Sequence, residues 1–198
     1  RDLHRLIRRQ RQMCIRDRNV TALQIVRAFG AIANGGYLWR PRLLKRVVDH
    51  EGRIIARPVR EPARRIVSEE TCAKLRRAMI EVVESGTGTR VKSDKYVIAG
   101  KTGTAQKREP GTVGYSPDKY VGSFCGFAPA TNPQICVLVV VNEPRGWSHF
   151  GGTVAGPAVR EIIEQTLIYM RVPEDRKKED ADTADKTEGD GRQLAGRG

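Results

Sequence analysis

The residues of this 198-residue chain best suited to act together on a ligand are Lys101, Thr102 and Thr104. They stand in Gly100-Lys101-Thr102-Gly103-Thr104, directly after Tyr96-Val97-Ile98-Ala99. The preceding run is aromatic, β-branched or small, which suits a buried strand that ends in chemistry. Glycine weakens a strand interior, so glycines flanking a Lys-Thr pair mark close approach by a ligand or another backbone. A cation, two hydroxyls and exposed strand backbone side by side can hold a carboxylate and an extended peptide.

Several elements must position this stretch. Asn19 to Asn34 reads as a helix with a broad apolar surface (Leu23, Ile25, Val26, Phe29, Ile32), which implies a well-buried element; Asn34-Gly35-Gly36 ends it. Arg40 to Val48, the turn Asp49-His50-Glu51-Gly52 and Arg53 to Ala56 read as a hairpin. Ser68 to Glu84 is the clearest helix: Ser68 caps it, Glu69 and Glu70 suit the positive end of its dipole, and Cys72, Leu75, Met79 and Val82 repeat at helical spacing. The glycine-rich Ser85-Gly86-Thr87-Gly88-Thr89 follows no strand and ends in no Gly-Lys-Ser/Thr, so it reads as a plain loop rather than a phosphate cradle.

After the lysine-bearing strand comes a polar loop, Arg108 to Asp118, then a second strand, Lys119 to Phe127. Ile135 to Val141 is a third, and its seven consecutive apolar residues predict a strand covered on both faces. Short links between the three predict an antiparallel sheet. Pro157 opens a last helix, whose apolar face (Val159, Ile163, Thr166, Met170, with Ile162 and Leu167) packs on that sheet. The fold class is therefore α/β in the α+β sense, an antiparallel sheet flanked by helices.

Bulk properties bound the function. The chain carries 39% apolar residues, enough for one core, and no run of eighteen that could cross a membrane. The formal net charge is +13, which first suggests an anionic partner. The charge is scattered over loops and helix faces with no aromatic platform, so a solvated basic surface is favoured and nucleic acid is not expected. None of Cys14, Cys72, Cys125 and Cys136 forms a Cys-x-x-Cys pair; no metal and no cofactor is expected, and the last three suit small buried positions. Residues 1–18 hold seven Arg and no pattern that buries a face; they are expected to lie outside the fold, as a foreign segment. From Pro173 the chain is charged and poor in apolar residues, and a disordered tail (173–198) is expected.

Lys101-Thr102-Gly103-Thr104, followed in order by Phe124-Cys125-Gly126-Phe127-Ala128-Pro129, by Ile135–Val141 with Asn142-Glu143-Pro144, and by Phe150-Gly151-Gly152-Thr153, resembles the end of a transpeptidase domain of class B penicillin-binding proteins. The division-specific, septal type fits best, and the resemblance covers roughly residues 20–172. It implies a C-terminal part of a serine β-lactamase/transpeptidase-like domain. It also implies acyl transfer between peptidoglycan stem peptides, with β-lactams as inhibitors, on the outer, periplasmic side of the cytoplasmic membrane. A membrane anchor outside this chain and division-machinery membrane proteins as partners come with it. In this resemblance Lys101 is catalytic and substrate-binding, supplying charge to the substrate carboxylate and to proton transfer. Thr102 and Thr104 hydroxyls bind the carboxylate, the Thr104 N–H is an oxyanion donor, and Gly103 permits close approach.

Such chemistry needs a nucleophilic serine in a Ser-x-x-Lys box opening a helix upstream. The one literal match, Ser116-Pro117-Asp118-Lys119, lies downstream in a loop, and Ser93-Asp94-Lys95 mimics half of a second box and also lies too late. The chain is therefore expected to be a fragment that forms no covalent β-lactam adduct by itself. His149, between Trp147 and Phe150, has no evident acidic partner and reads as a turn residue rather than a base. The alternatives are a β-lactamase or carboxypeptidase, a non-catalytic β-lactam sensor domain of the same fold, and a basic nucleic-acid binder.

Overall fold

A computed structural model of the chain describes residues 13–15, 18–57, 64–108 and 114–176. Its centre is a three-stranded antiparallel sheet with helices on both faces, as the sequence predicts. Two short strands, β1 (Met13–Ile15) and β2 (Arg18–Val20), form a ladder in which Met13 faces Val20. Helix α1 spans Ala22–Ala33. Its start lies three residues later than predicted because Thr21 closes a capping box: its hydroxyl accepts from the Gln24 amide, and the Gln24 side chain accepts from the Thr21 amide.

The excursion that follows is thinly packed. Strand β3 (Tyr37–Leu38) pairs with β6 (Arg64–Arg65), and the predicted hairpin is present as β4 (Val47–Val48) and β5 (Ile54–Ala56). Its turn is held by Asp49, whose carboxylate accepts from the Glu51 and Arg53 amides and pairs with the Arg53 guanidinium at 2.7 Å. Helix α2 runs Glu69–Glu84 from the predicted Ser68 cap, which accepts from the Thr71 amide. Its buried residues are Cys72 and Val83, whereas Leu75, predicted to lie on the inner face, is exposed.

The sheet is built of β7 (Ala99–Gln106), β8 (Tyr120–Ala128) and β9 (Ile135–Asn142), in the order β7-β8-β9. Two expectations change here. The strand starts at Ala99 rather than Tyr96, so the Lys-Thr-Gly triplet lies inside the strand, paired along its length, and does not follow it. The strand covered on both faces is β8, of which every residue after Tyr120 is buried; Ile135–Asn142 is an outer strand with Val140 exposed. Hydrophobic runs report burial of side chains, and here two neighbouring strands and two helix layers give that burial to the glycine-rich β8 instead.

One face of the sheet carries Phe124, Val137 and Val139 against α4 (Gly156–Tyr169), where Val159, Ile163 and Leu167 are fully buried. Those three form the i, i+4, i+8 row of the helix. Ile162 and Met170, predicted on the same face, point to solvent instead. The other face meets α1 and α2 through Phe127, Ala99 and Cys136 packed with Phe29, Ile32, Met79 and Ile80.

The predicted tail boundary also moves. The Asp175 carboxylate accepts from the Val97 amide at 2.8 Å, the Arg176 amide donates to the Lys95 carbonyl, and the Arg176 guanidinium pairs with Glu84. Pro173 to Arg176 is thereby clasped between the end of α2 and the approach to β7. The rest of the segments expected outside the fold, residues 1–12, 16, 17 and 177–198, lies outside the described residues.

Candidate functional site

The four expected site residues sit together on β7, an outer strand of the sheet among the described residues. Strand alternation sends the Lys101 and Gly103 positions to one face and the Thr102 and Thr104 positions to the other. At an outer strand the two faces meet around the edge. The Lys101 ammonium reaches around to donate to the Thr102 hydroxyl at 3.0 Å and to the Thr102 carbonyl at 3.2 Å. The cation and the first hydroxyl are therefore in one cluster, and both are accessible, Lys101 being exposed and Thr102 half-buried.

Thr104 is tied elsewhere. The short helix α3 (Gly151–Val154) directs the Gly151 amide onto the Thr104 hydroxyl at 3.1 Å. That oxygen keeps its own proton for a ligand, since a hydroxyl donates once and accepts twice. Gly151 and Gly152 make this contact possible. A Cβ on Gly151 would stand 2.1 Å from the Ser123 carbonyl oxygen and 2.3 Å from that of Gly103, and one on Gly152 would stand 2.3 Å from the Thr87 carbonyl oxygen. The Gly-Gly pair thus lies flat against the triplet from the side of α4, a role its sequence did not reveal.

On the face of Lys101 and Gly103 lies a cleft of about 350 Å³, walled by Gln24, Ile25 and Phe29 of α1, Cys125 of β8 and Leu138 of β9. This cleft corrects the expectation for α1. Only Ala31 and Ala33 of that helix are buried; Leu23 is 55% exposed, and part of its apolar surface lines the cleft instead of a core. Beneath the cleft the buried Cys125 thiol is held well above the usual thiol range by its hydrogen bond with Cys136 and by burial. Burial and that bond disfavour the thiolate there.

Thr87 joins the cluster from a loop read as plain in the sequence: its hydroxyl is 3.1 Å from that of Thr102. No local pattern announces such a contact across fifteen residues. The rejected boxes behave as structural parts. The Ser116 hydroxyl donates to Asp118 within a loop, and Ser93 is buried, its hydroxyl accepting from the Lys95 and Tyr96 amides. His149 stacks on Tyr120 with ring centroids 3.9 Å apart. Among the described residues there is no group of three or more His, Cys, Asp or Glu able to hold a metal, and no helix long and apolar enough to cross a membrane.

Comparison with known proteins agrees with this architecture. The model of the penicillin binding protein transpeptidase domain matches residues 15–164. The chain is 39% identical over 155 residues to stage V sporulation protein D of Bacillus subtilis, covering 78% of this chain and 24% of that protein. It is 36% identical over 154 residues to the probable peptidoglycan D,D-transpeptidase PenA of Neisseria gonorrhoeae, covering 77% of this chain and 24% of the relative. Among solved structures, penicillin binding protein 3 of Mycobacterium tuberculosis superposes with a TM-score of 0.72 at 30% identity, over 80% of this chain and 37% of that one. The same protein has been solved in complex with aztreonam and with ampicillin. The transpeptidase domain of penicillin-binding protein 3 from Burkholderia pseudomallei gives a TM-score of 0.66 at 34% identity, over 80% and 45% of the two chains. The chain thus spans about a quarter of the length of these two curated relatives. The family match begins in β1, ends in α4 and takes in every strand and loop that shapes the Lys101 cluster, so the chain belongs to the penicillin-binding protein transpeptidase-domain family.

Proposed function

We propose that this chain is the strand-bearing part of a serine-type peptidoglycan D,D-transpeptidase that cross-links stem peptides at the division septum and is inhibited by β-lactams. The observation that carries the reading is the cluster at the edge of β7, where the Lys101 ammonium, the Thr102 hydroxyl and an accessible strand edge stand beside an open cleft. An extended stem peptide adds along that edge, and its terminal carboxylate meets Lys101, Thr102 and Thr104. Gly103, without a side chain, lets the acyl group lie against the strand. The Thr104 N–H donates to the oxyanion that forms when serine attacks the peptide carbonyl. D-Ala leaves, and an amine of a second stem resolves the acyl-enzyme. The serine comes from a Ser-x-x-Lys helix that the described residues do not include. The working protein is anchored with this domain on the outer face of the cytoplasmic membrane, beside membrane proteins of the division machinery.

A graft tests the reading. Residues 20–172 replace the matching segment of the Neisseria gonorrhoeae relative, and the product is exposed to fluorescent penicillin. The graft is expected to become covalently labelled and its Lys101→Ala variant to label about 100-fold more slowly, the scale of one lost electrostatic contact in the transition state. Equal labelling of the two grafts sinks the role of Lys101. Stable labelling of the 198-residue chain alone sinks the division of the site between two segments. Release of hydrolysed product without cross-links places the protein with β-lactamases or carboxypeptidases instead.

A further inference from the structure

We infer that Thr87 is a positioning residue: its hydroxyl orients the Thr102 O–H toward an anion held at the edge of β7. This rests on the reading of that edge as a carboxylate site. The argument is a count of lone pairs. The Thr102 oxygen has one proton to give and two lone pairs to fill. The Lys101 ammonium fills one at 3.0 Å. Thr87 lies at 3.1 Å, where either hydroxyl can be the donor. Without a ligand the Thr102 proton can be spent on Thr87. With a carboxylate at the edge, Thr87 becomes the donor, both Thr102 lone pairs are filled, and its single proton points at the anion. A hydroxyl polarised by a cation and a second donor is a stronger donor itself.

The position of Thr87 is fixed by its backbone. Its carbonyl lies against Gly152, where even a Cβ would stand 2.3 Å away. The next residue, buried Gly88, donates its amide to the Val82 carbonyl at the end of α2 at 2.8 Å. The Thr87 side chain is nonetheless exposed. Changing it therefore leaves the core intact, and an effect on binding is separable from an effect on folding.

The test uses the full 198-residue chain and two probes, benzylpenicillin and its methyl ester, which differ in the carboxylate. Non-covalent affinity is read from backbone amide shifts of Thr102 to Thr104 in ¹H–¹⁵N spectra. The parent chain is expected to prefer the free acid. In Thr87→Val the affinity for the acid falls about 3- to 10-fold, the scale of one weakened charge-assisted hydrogen bond, while the ester is unaffected. Thr87→Ser restores the parent preference. An unchanged acid-to-ester ratio in Thr87→Val overturns the inference and leaves the carboxylate site standing. An equal loss for both probes overturns it too, as a plain structural effect. A parent chain whose Thr102 to Thr104 amides respond to neither probe, or equally to both, overturns the carboxylate reading itself.

Discussion

Replacing Gly151 by Ala tests whether the Gly-Gly turn is the part that holds the Lys-Thr-Gly strand in place. The added Cβ would lie 2.1 Å from the Ser123 carbonyl oxygen, 2.3 Å from the Gly103 carbonyl oxygen and 2.8 Å from the Ser123 amide nitrogen. All three are backbone atoms of a paired ladder, with Gly103 facing Ser123. None can rotate away as a side-chain end could, so α3 must retreat by about 1 Å to reach ordinary contact. Overpacking of this kind costs about 1–3 kcal/mol. The retreat also breaks the bond from the Gly151 amide to the Thr104 hydroxyl, worth about 1 kcal/mol. The expected loss is about 2–4 kcal/mol, which at a urea slope near 2 kcal/mol/M lowers the unfolding midpoint by about 1–2 M. Gly30→Ala is the matched control. Gly30 sits inside α1 with nothing within 4 Å of a built Cβ. There the same methyl should stabilise by about 0.5–1 kcal/mol, because alanine gives up less backbone entropy in a helix. Urea unfolding of the 198-residue chain followed by circular dichroism reads both variants. A Gly151→Ala midpoint matching the parent, or one displaced in the same direction and amount as Gly30→Ala, refutes the wedge.

Three further outcomes follow from other contacts. Burial raises the Glu84 carboxyl, but hydrogen bonds and charge from Arg176 and Lys92 outweigh it and hold it below the usual glutamate value of 4.5. A depressed folded-state value gives stability that is present above about pH 4.5 and lost as pH falls through the folded value, so acid-limb stability measured from pH 6 to 3 should flatten in Glu84→Gln. The double change Asp175→Ala and Arg176→Ala removes the acceptor for the Val97 amide and the Glu84 ion pair, and should lower stability by about 2–3 kcal/mol in urea; no change would return Pro173 to Arg176 to an inert tail. Cys125, buried and with its thiol pushed up by Cys136 and burial, should resist iodoacetamide at pH 8 in the folded chain and react in urea, as located by peptide mass spectrometry.

Local contacts were legible in the sequence. The cap at Ser68, the turn at Asp49 and the proline opening α4 involve partners within four residues, so side-chain type and spacing suffice to predict them. The antiparallel sheet was legible for the same reason, because short links leave neighbouring strands little choice but to pair. The Lys-Thr-Gly-Thr stretch stood out as a candidate site because its cation and two hydroxyls lie within four consecutive residues. What only the tertiary structure decided lies between distant segments: β8 as the buried central strand, α1 half-open above a cleft, Thr87 against Thr102, Gly151 against Thr104, and Asp175 against Val97. Each depends on where a returning segment lands, to within an ångström or two. Composition and periodicity say which face of an element is apolar, but a hydrogen bond between remote hydroxyls leaves no period in the chain.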